Sequence, residues 1–425
     1  MSRFSFLRFL AVLLPLSLPA CGGGETEQAA PPSEEDVLAQ AAAIHEAAIT
    51  IDTHDDIPGN YGTAEVDPCA GSGMKVDIPK MVAGGLDMVF PAVYVGQGER
   101  TPEGYEAAKE AALNKFAAIH RVAEEMCPDR VEIAYTAADV ERIHAAGKRI
   151  FGIGIENGYA IGQDLSLVGR FYELGARYIT LTHNGHNDIG DSTNPSSRLG
   201  DQEEEFGGLS PFGEEVVREM NRLGIMIDVS HVSRKTMMDV VNLSAAPIIA
   251  SHSGAGALAD VSRNLNDEQL LALKDNGGVI QVVALGGFLQ EDPPEKTAAM
   301  EALREELGFT DRAAMRSMTD EQRAAYRARM EELDAQWPAA DVSTMVDHID
   351  YVVSLIGIDH VGIGTDFDGG GGIPGFNDAS EALNLTVELV RRGYTEEEIG
   401  KIWGGNTLRV WREVEEVAAR MQSGT

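Results

Sequence analysis

From residue 48 onward, short apolar runs rich in β-branched residues alternate with longer amphipathic stretches. Eight such runs stand out: Ala48–Thr53, Leu86–Val95, Ile150–Ile155, Tyr178–Thr182, Gly224–Val229, Pro247–Ala250, Gly278–Ala284 and His360–Gly364. A strand followed by a helical crossover, repeated, lays its strands parallel. Eight of these units is the number that closes a TIM-type (β/α)8 barrel, and the pattern predicts that α/β fold over residues 36–425.

Two stretches break the alternation. Tyr61–Ile78 is rich in Gly, Pro and Cys and reads as a long loop over the barrel mouth. Residues 290–340, between the seventh and eighth runs, are charged and carry helix-forming stretches at Ala298–Leu307 and Asp320–Ala335, which predicts a helical insertion. Ahead of the barrel, Glu34 to about Ile49 reads as a first helix.

The first residues read as an address. Arg3 and Arg8 precede an apolar run, Phe9–Leu18, that is too short to span a bilayer. Leu18-Pro19-Ala20-Cys21 resembles a bacterial lipobox, which implies a signal peptide over 1–20, acylation of Cys21 and a flexible tether over 21–35. The protein would then be a lipoprotein of the cell envelope, touching membrane through its anchor only. An ordinary cleaved signal peptide with an incidental Cys21 is the alternative. Cys69 and Cys127 remain, either as free thiols or as a pair in an oxidising compartment.

Composition removes one class of partner. Against 34 basic residues stand 68 acidic ones, a formal net charge of −34. Such a chain cannot replace the counterions of a phosphate backbone, so no nucleic-acid partner is expected.

The residues just past each apolar run carry the chemistry. The first run leads into Asp52-Thr53-His54-Asp55-Asp56, the third into Glu156-Asn157-Gly158, and the fourth into Thr182-His183. The fifth leads into Val229-Ser230-His231, the sixth into Ser251-His252-Ser253, and the eighth into Gly364-Thr365-Asp366-Phe367-Asp368. Strand ends of a barrel share one mouth, so six strands deliver imidazoles or carboxylates to one place. Unpaired charges gathered there would cost several kcal/mol each without a metal. Imidazole and carboxylate without thiolate suit zinc ahead of manganese, iron or cobalt. His54 and Asp56 are two apart on an extended segment and share a face. His231 and His252 come from neighbouring strands and suit a second ion, and Glu156 has two oxygens with which to bridge. Two cations so held can keep a hydroxide between them.

These motifs resemble the membrane (renal) dipeptidase family of the amidohydrolase superfamily from about Ile49 to Val414. The 27-residue step from Glu156 to His183 and the 21-residue step from His231 to His252 match as well. The resemblance implies two zinc ions, one on His54 and Asp56, one on His231 and His252, bridged by Glu156. It implies that His183 polarises the scissile carbonyl or binds substrate, that Arg263 takes the substrate's terminal carboxylate, and that Asp366 shuttles the proton. Asp368 in the shuttle's place and Arg263 as a surface ion-pair residue are the competing assignments. The implied substrate is a small dipeptide, including one with a C-terminal D-residue, and a homodimer is implied by the resemblance alone. No Lys stands at a strand end, which argues against the amidohydrolases that bridge their metals with a carbamylated lysine. An N-acyl amino acid deacylase on the same core and a non-catalytic, lipid-anchored binding protein are the alternative readings.

Overall fold

The computed structural model describes Met1, residues 33–309 and residues 318–424. The signal peptide and Cys21 lie outside the described residues. Ser33 caps the helix Glu34–Ala47, so the chain is already helical where the tether was expected to run on to residue 35.

Ten parallel strands form one curled sheet: β1 Ile51–Asp56, β2 Met88–Tyr94, β3 Val131–Ile133, β4 Arg149–Phe151, β5 Ile153–Glu156, β6 Ala176–Thr180, β7 Met226–Asp228, β8 Ile249–Ser253, β9 Val279–Val282 and β10 Val361–Ile363. Their order is β10-β9-β8-β7-β6-β5-β2-β4-β3, with β1 beside β2. The free edges of β1 and β10 also meet just past β10. There Asp366 donates its N–H to His54 O (3.1 Å) and Asp56 donates to Phe367 O (2.9 Å). With helices outside the sheet, this is a TIM-like α/β fold.

Each expected run holds a strand, with two differences. The third run is broken at Gly152 into β4 and β5; the Phe90 ring packs where a Cβ at 152 would stand, 2.4 Å from Cε1, so only glycine fits at the break. The short strand β3 was not expected; it pairs only with β4, at the end of the path. Strand bounds also shift by about two residues at several ends. Polar residues such as His54, Asp55 and Asp56 continue β1, because their side chains enter the mouth instead of solvent.

Two apolar layers hold the sheet. Inside the curl, Ile51, Met88, Ile150, Met226, Ile249 and Val279 stand at or near the first residues of their strands and pack with Trp411 of the C-terminal helix Asn406–Ser423. The outer layer packs the other sheet face against the helices. The strand starts are thereby plugged by apolar side chains, which leaves the strand ends for chemistry.

Tyr61 to Asp77 runs as turns without a long element before the helix Ile78–Gly84. Cys69 and Cys127 are disulfide-bonded, which ties this loop to the turn after the helix Pro102–Arg121. Between β9 and β10 stand the helices Pro294–Glu306 and Asp320–Gln336, close to the bounds expected for the insertion. No helix among the described residues is long and apolar enough to cross a membrane.

Candidate metal centre

Glu156, the last residue of β5, is the hub. Its side chain is buried and its two oxygens meet four imidazoles. His54 Nε2 lies 3.5 Å from Oε2. His231, His183 and His252 Nε2 lie 3.1, 3.5 and 3.7 Å from Oε1. Asp56 Oδ2 stands 3.9 Å from His54 Nε2. Asp366 completes a group with His54 and Asp56 whose ligand atoms all lie within 4.8 Å of one another.

Two further groups meet the same limit, His54 with Glu156 and His252, and Glu156 with His183 and His231. This differs from the expected partition. His183 is as near Glu156 as His252 is, and His231 and His252 approach each other to 3.0 Å through Nε2. The expected pairing of His231 with His252 stands beside a second one, His231 with His183.

Backbone strain aims these groups. Four non-glycine residues among those described have positive φ: Asn157, His231, Asp366 and Asp368, at 83°, 67°, 59° and 61°. All four follow strands that end in the mouth, and such conformations are held only where surrounding structure over-determines them. Gly369 keeps the gap clear, since a Cβ there would stand 2.2 Å from Asp56 Oδ2 and 2.3 Å from Asp366 Oδ1.

A supporting layer orients the rings. His54 Nδ1 meets the Tyr178 hydroxyl at 2.9 Å. Tyr178 reaches it because Gly154 has no Cβ, which would lie 1.9 Å from the Tyr178 ring. His252 Nδ1 meets Ser251 Oγ at 2.9 Å, and Ser251 donates to Asp228 Oδ2 at 2.6 Å. Asp52 accepts from the Thr365 hydroxyl (2.5 Å) and N–H (2.8 Å), joining β1 to the segment after β10. Such partners fix ring orientation and raise ligand basicity. Asp52, Ser251 and Thr365 stand in the strand-end motifs without an assigned role, and Tyr178 and Asp228 carry none from sequence either. The only signal was a polar residue inside an otherwise apolar run.

The electrostatics fit cations. Burial lowers the pKa of His183, and holds those of His231 and His252 well below the usual value, so all three are neutral ligands-in-waiting. Burial opposes a charge on His54 too, but Glu156, Asp56 and Asp366 overcome it and push its pKa to about 10. Burial would raise Glu156, yet His54 and the other rings hold it well below the usual range. A proton on His54 therefore sits where positive charge is wanted. Buried His54 Nε2 and His231 Nδ1 make no hydrogen bond. An inward-facing nitrogen without a partner, beside a carboxylate and three neutral imidazoles, is a donor set for a divalent metal ion.

Asp366 is pushed up to about 8 by burial and by Glu156 and Asp56, against the pull of His54. Asp368 is held apart from it, accepting the N–H groups of Lys75 (2.9 Å) and Val76 (3.3 Å). Arg263 is buried, not a surface residue. It donates to His252 O at 3.1 Å and Ser253 Oγ at 3.4 Å, with its Nε unpaired, and burial lowers it to about 10, still charged near neutrality.

Residues 38–425 match the membrane dipeptidase family, peptidase family M19. The chain belongs to that family. It is 33% identical over 349 residues to dipeptidase tcpJ of Claviceps purpurea (strain 20.1), covering 81% of this chain and 70% of that one. Among solved structures, the probable dipeptidase PvdM of Pseudomonas aeruginosa superposes with a TM-score of 0.80 at 33% identity, over 90% of this chain and 100% of that one. A metallopeptidase from Rhodobacter sphaeroides, liganded with a phosphinate mimic of the dipeptide L-Ala-D-Ala, aligns with a TM-score of 0.65 at 26% identity, over 86% and 99%. The membrane dipeptidase relationship accounts for clustered metal-binding side chains on a TIM-like sheet and makes a peptide hydrolase of this chain.

Proposed function

We propose that this protein is a zinc-dependent dipeptidase with two ions per chain, acting on L,L-dipeptides and on dipeptides with a C-terminal D-residue. The observation that carries the reading is the convergence of four imidazole Nε2 atoms on the two oxygens of one buried carboxylate, Glu156. His54 and Asp56 would hold one ion, His231 and His252 the other, with Glu156 shared between them. The ions would supply Lewis acidity and a nucleophilic water at neutral pH.

The chain's own residues do the rest. Arg263, with its unpaired Nε and planar fork, takes the C-terminal carboxylate of the substrate. That contact fixes where the peptide bond sits relative to Glu156. His183, neutral and on the rim, donates a hydrogen bond to the scissile carbonyl as negative charge develops there. Asp366 accepts the proton of the attacking water and returns it to the leaving amine. Its elevated pKa reflects burial first and the neighbouring Glu156 and Asp56 after it, and added positive charge would lower it toward a working base.

The proposal extends to a lipid anchor on Cys21 at the cell envelope and to a homodimer. Its central test is a substrate panel on the zinc-loaded protein. L-Ala-L-Ala and L-Ala-D-Ala should be hydrolysed, and chelation should abolish both. N-acetyl amino acids of similar size should turn over far more slowly. Preference for the N-acetyl compounds would replace the dipeptidase reading with a deacylase. Inertness of a zinc-replete protein toward every member would leave only a binding protein.

A further inference from the structure

On the β1–β2 side of the metal centre a cavity of about 350 Å3 opens among Asp56, Met74, Tyr94, Lys115 and Asp368. The helix Pro102–Arg121 delivers Lys115 to it. The ammonium lies 5.5 Å from the centre of the Tyr94 ring and makes no hydrogen bond or ion pair with the described residues. Burial draws its pKa down, against the opposing fields of Asp56, Glu156 and Asp55.

Two carboxylates, Asp56 and Asp368, line the same cavity, but neither forms an ion pair with the ammonium. Asp368 is occupied by the backbone N–H groups of Lys75 and Val76. Asp56 and Glu156 belong to the candidate metal groups, where cation binding would cancel the negative charge that steadies Lys115. A partly buried ammonium is then left facing the cavity without a direct ion-pair partner, as the one cation among the lining residues. Such a group favours an incoming anion.

The sheet order says which part of a substrate comes there. Arg263 follows β8, while the cavity is built on the ends of β1 and β2. Round the curled sheet β8 is separated from β2 by β7, β6 and β5 and from β1 by β9 and β10, so the strand that leads to Arg263 and the strands that carry the cavity stand across the mouth from each other. A dipeptide with its terminal carboxylate on Arg263 and its scissile carbonyl at Glu156 extends its N-terminal residue toward Lys115.

We propose that Lys115 is a specificity determinant that receives a side-chain carboxylate on the N-terminal residue, so that the enzyme favours dipeptides beginning with Glu or Asp. This rests on the dipeptidase reading above. The competing role for Lys115 is charge balance alone for Asp56 and Glu156.

The test compares kcat/KM of the zinc-loaded, full-length protein for L-Glu-L-Ala, its neutral isostere L-Gln-L-Ala, and L-Lys-L-Ala, with L-Ala-L-Ala as reference. The wild type should favour Glu-Ala over Gln-Ala on the order of tenfold, the factor that about 1.4 kcal/mol supplies. Lys115→Met should bring that ratio to about one, and Lys115→Glu should turn the preference toward Lys-Ala. A charge-balancing role would move all substrates together and leave the ratios in place, which overturns the proposal. Equal wild-type kcat/KM for Glu-Ala and Gln-Ala overturns it too, while hydrolysis of Ala-Ala keeps the dipeptidase reading. Failure to cleave any of the four overturns both.

Discussion

Glu156→Gln is expected to lower metal content and to cut dipeptide hydrolysis by roughly 10³–10⁴-fold, as removal of several kcal/mol of metal-supplied stabilisation would. The side chain is isosteric and buried, so the fold has no steric reason to change. The charge has every reason to matter. Glu156 is the nearest anion to all four ring nitrogens, and it is first among the groups that raise His54. A neutral amide keeps one acceptor oxygen but presents an NH2 group to ligands that must themselves bind a cation. Metal analysis and kcat/KM on L-Ala-L-Ala check this together. Wild-type metal content with wild-type rate would remove Glu156 from the centre of the account.

Asp366→Asn should behave differently, keeping its metal and losing turnover by about 10²–10⁴-fold, the usual worth of a positioned general base. Asn is the appropriate replacement because φ at this position is 59°, a conformation that Asn tolerates better than most residues. Its side chain cannot take a proton from water. Asp368→Asn serves as the contrast. That side chain accepts backbone N–H groups of Lys75 and Val76, which an amide oxygen can still do, so only a modest loss is expected. A severe loss at Asp368 with full activity in Asp366→Asn would exchange the two roles.

The mouth of the sheet was legible in the sequence because its chemistry is written in residue types that apolar runs seldom carry. His54, Glu156, His183, His231, His252 and Asp366 each stand at or just past a strand end, and the fold brings all six together. What the sequence concealed was of two kinds. Short or interrupted strands, β3 at the end of the sheet and the break at Gly152 beside Phe90, depend on pairing and packing across the fold, which periodicity does not encode. Supporting residues such as Tyr178, Ser251 and Asp228 look like ordinary strand residues until their partners come from other strands. Lys115 was hidden similarly, as one charged position on an amphipathic helix. The disulfide was undecided for a related reason, since Cys69 and Cys127 are 58 residues apart and meet only through the fold.

Stepwise zinc titration of metal-free protein, with hydrolysis of L-Ala-L-Ala followed at each addition and bound zinc measured in parallel, tests the binuclear centre most directly. The account predicts two tightly bound equivalents per chain, with full activity appearing only as the second site fills. Full activity with a single ion bound, or undiminished hydrolysis in the presence of chelator, would contradict it.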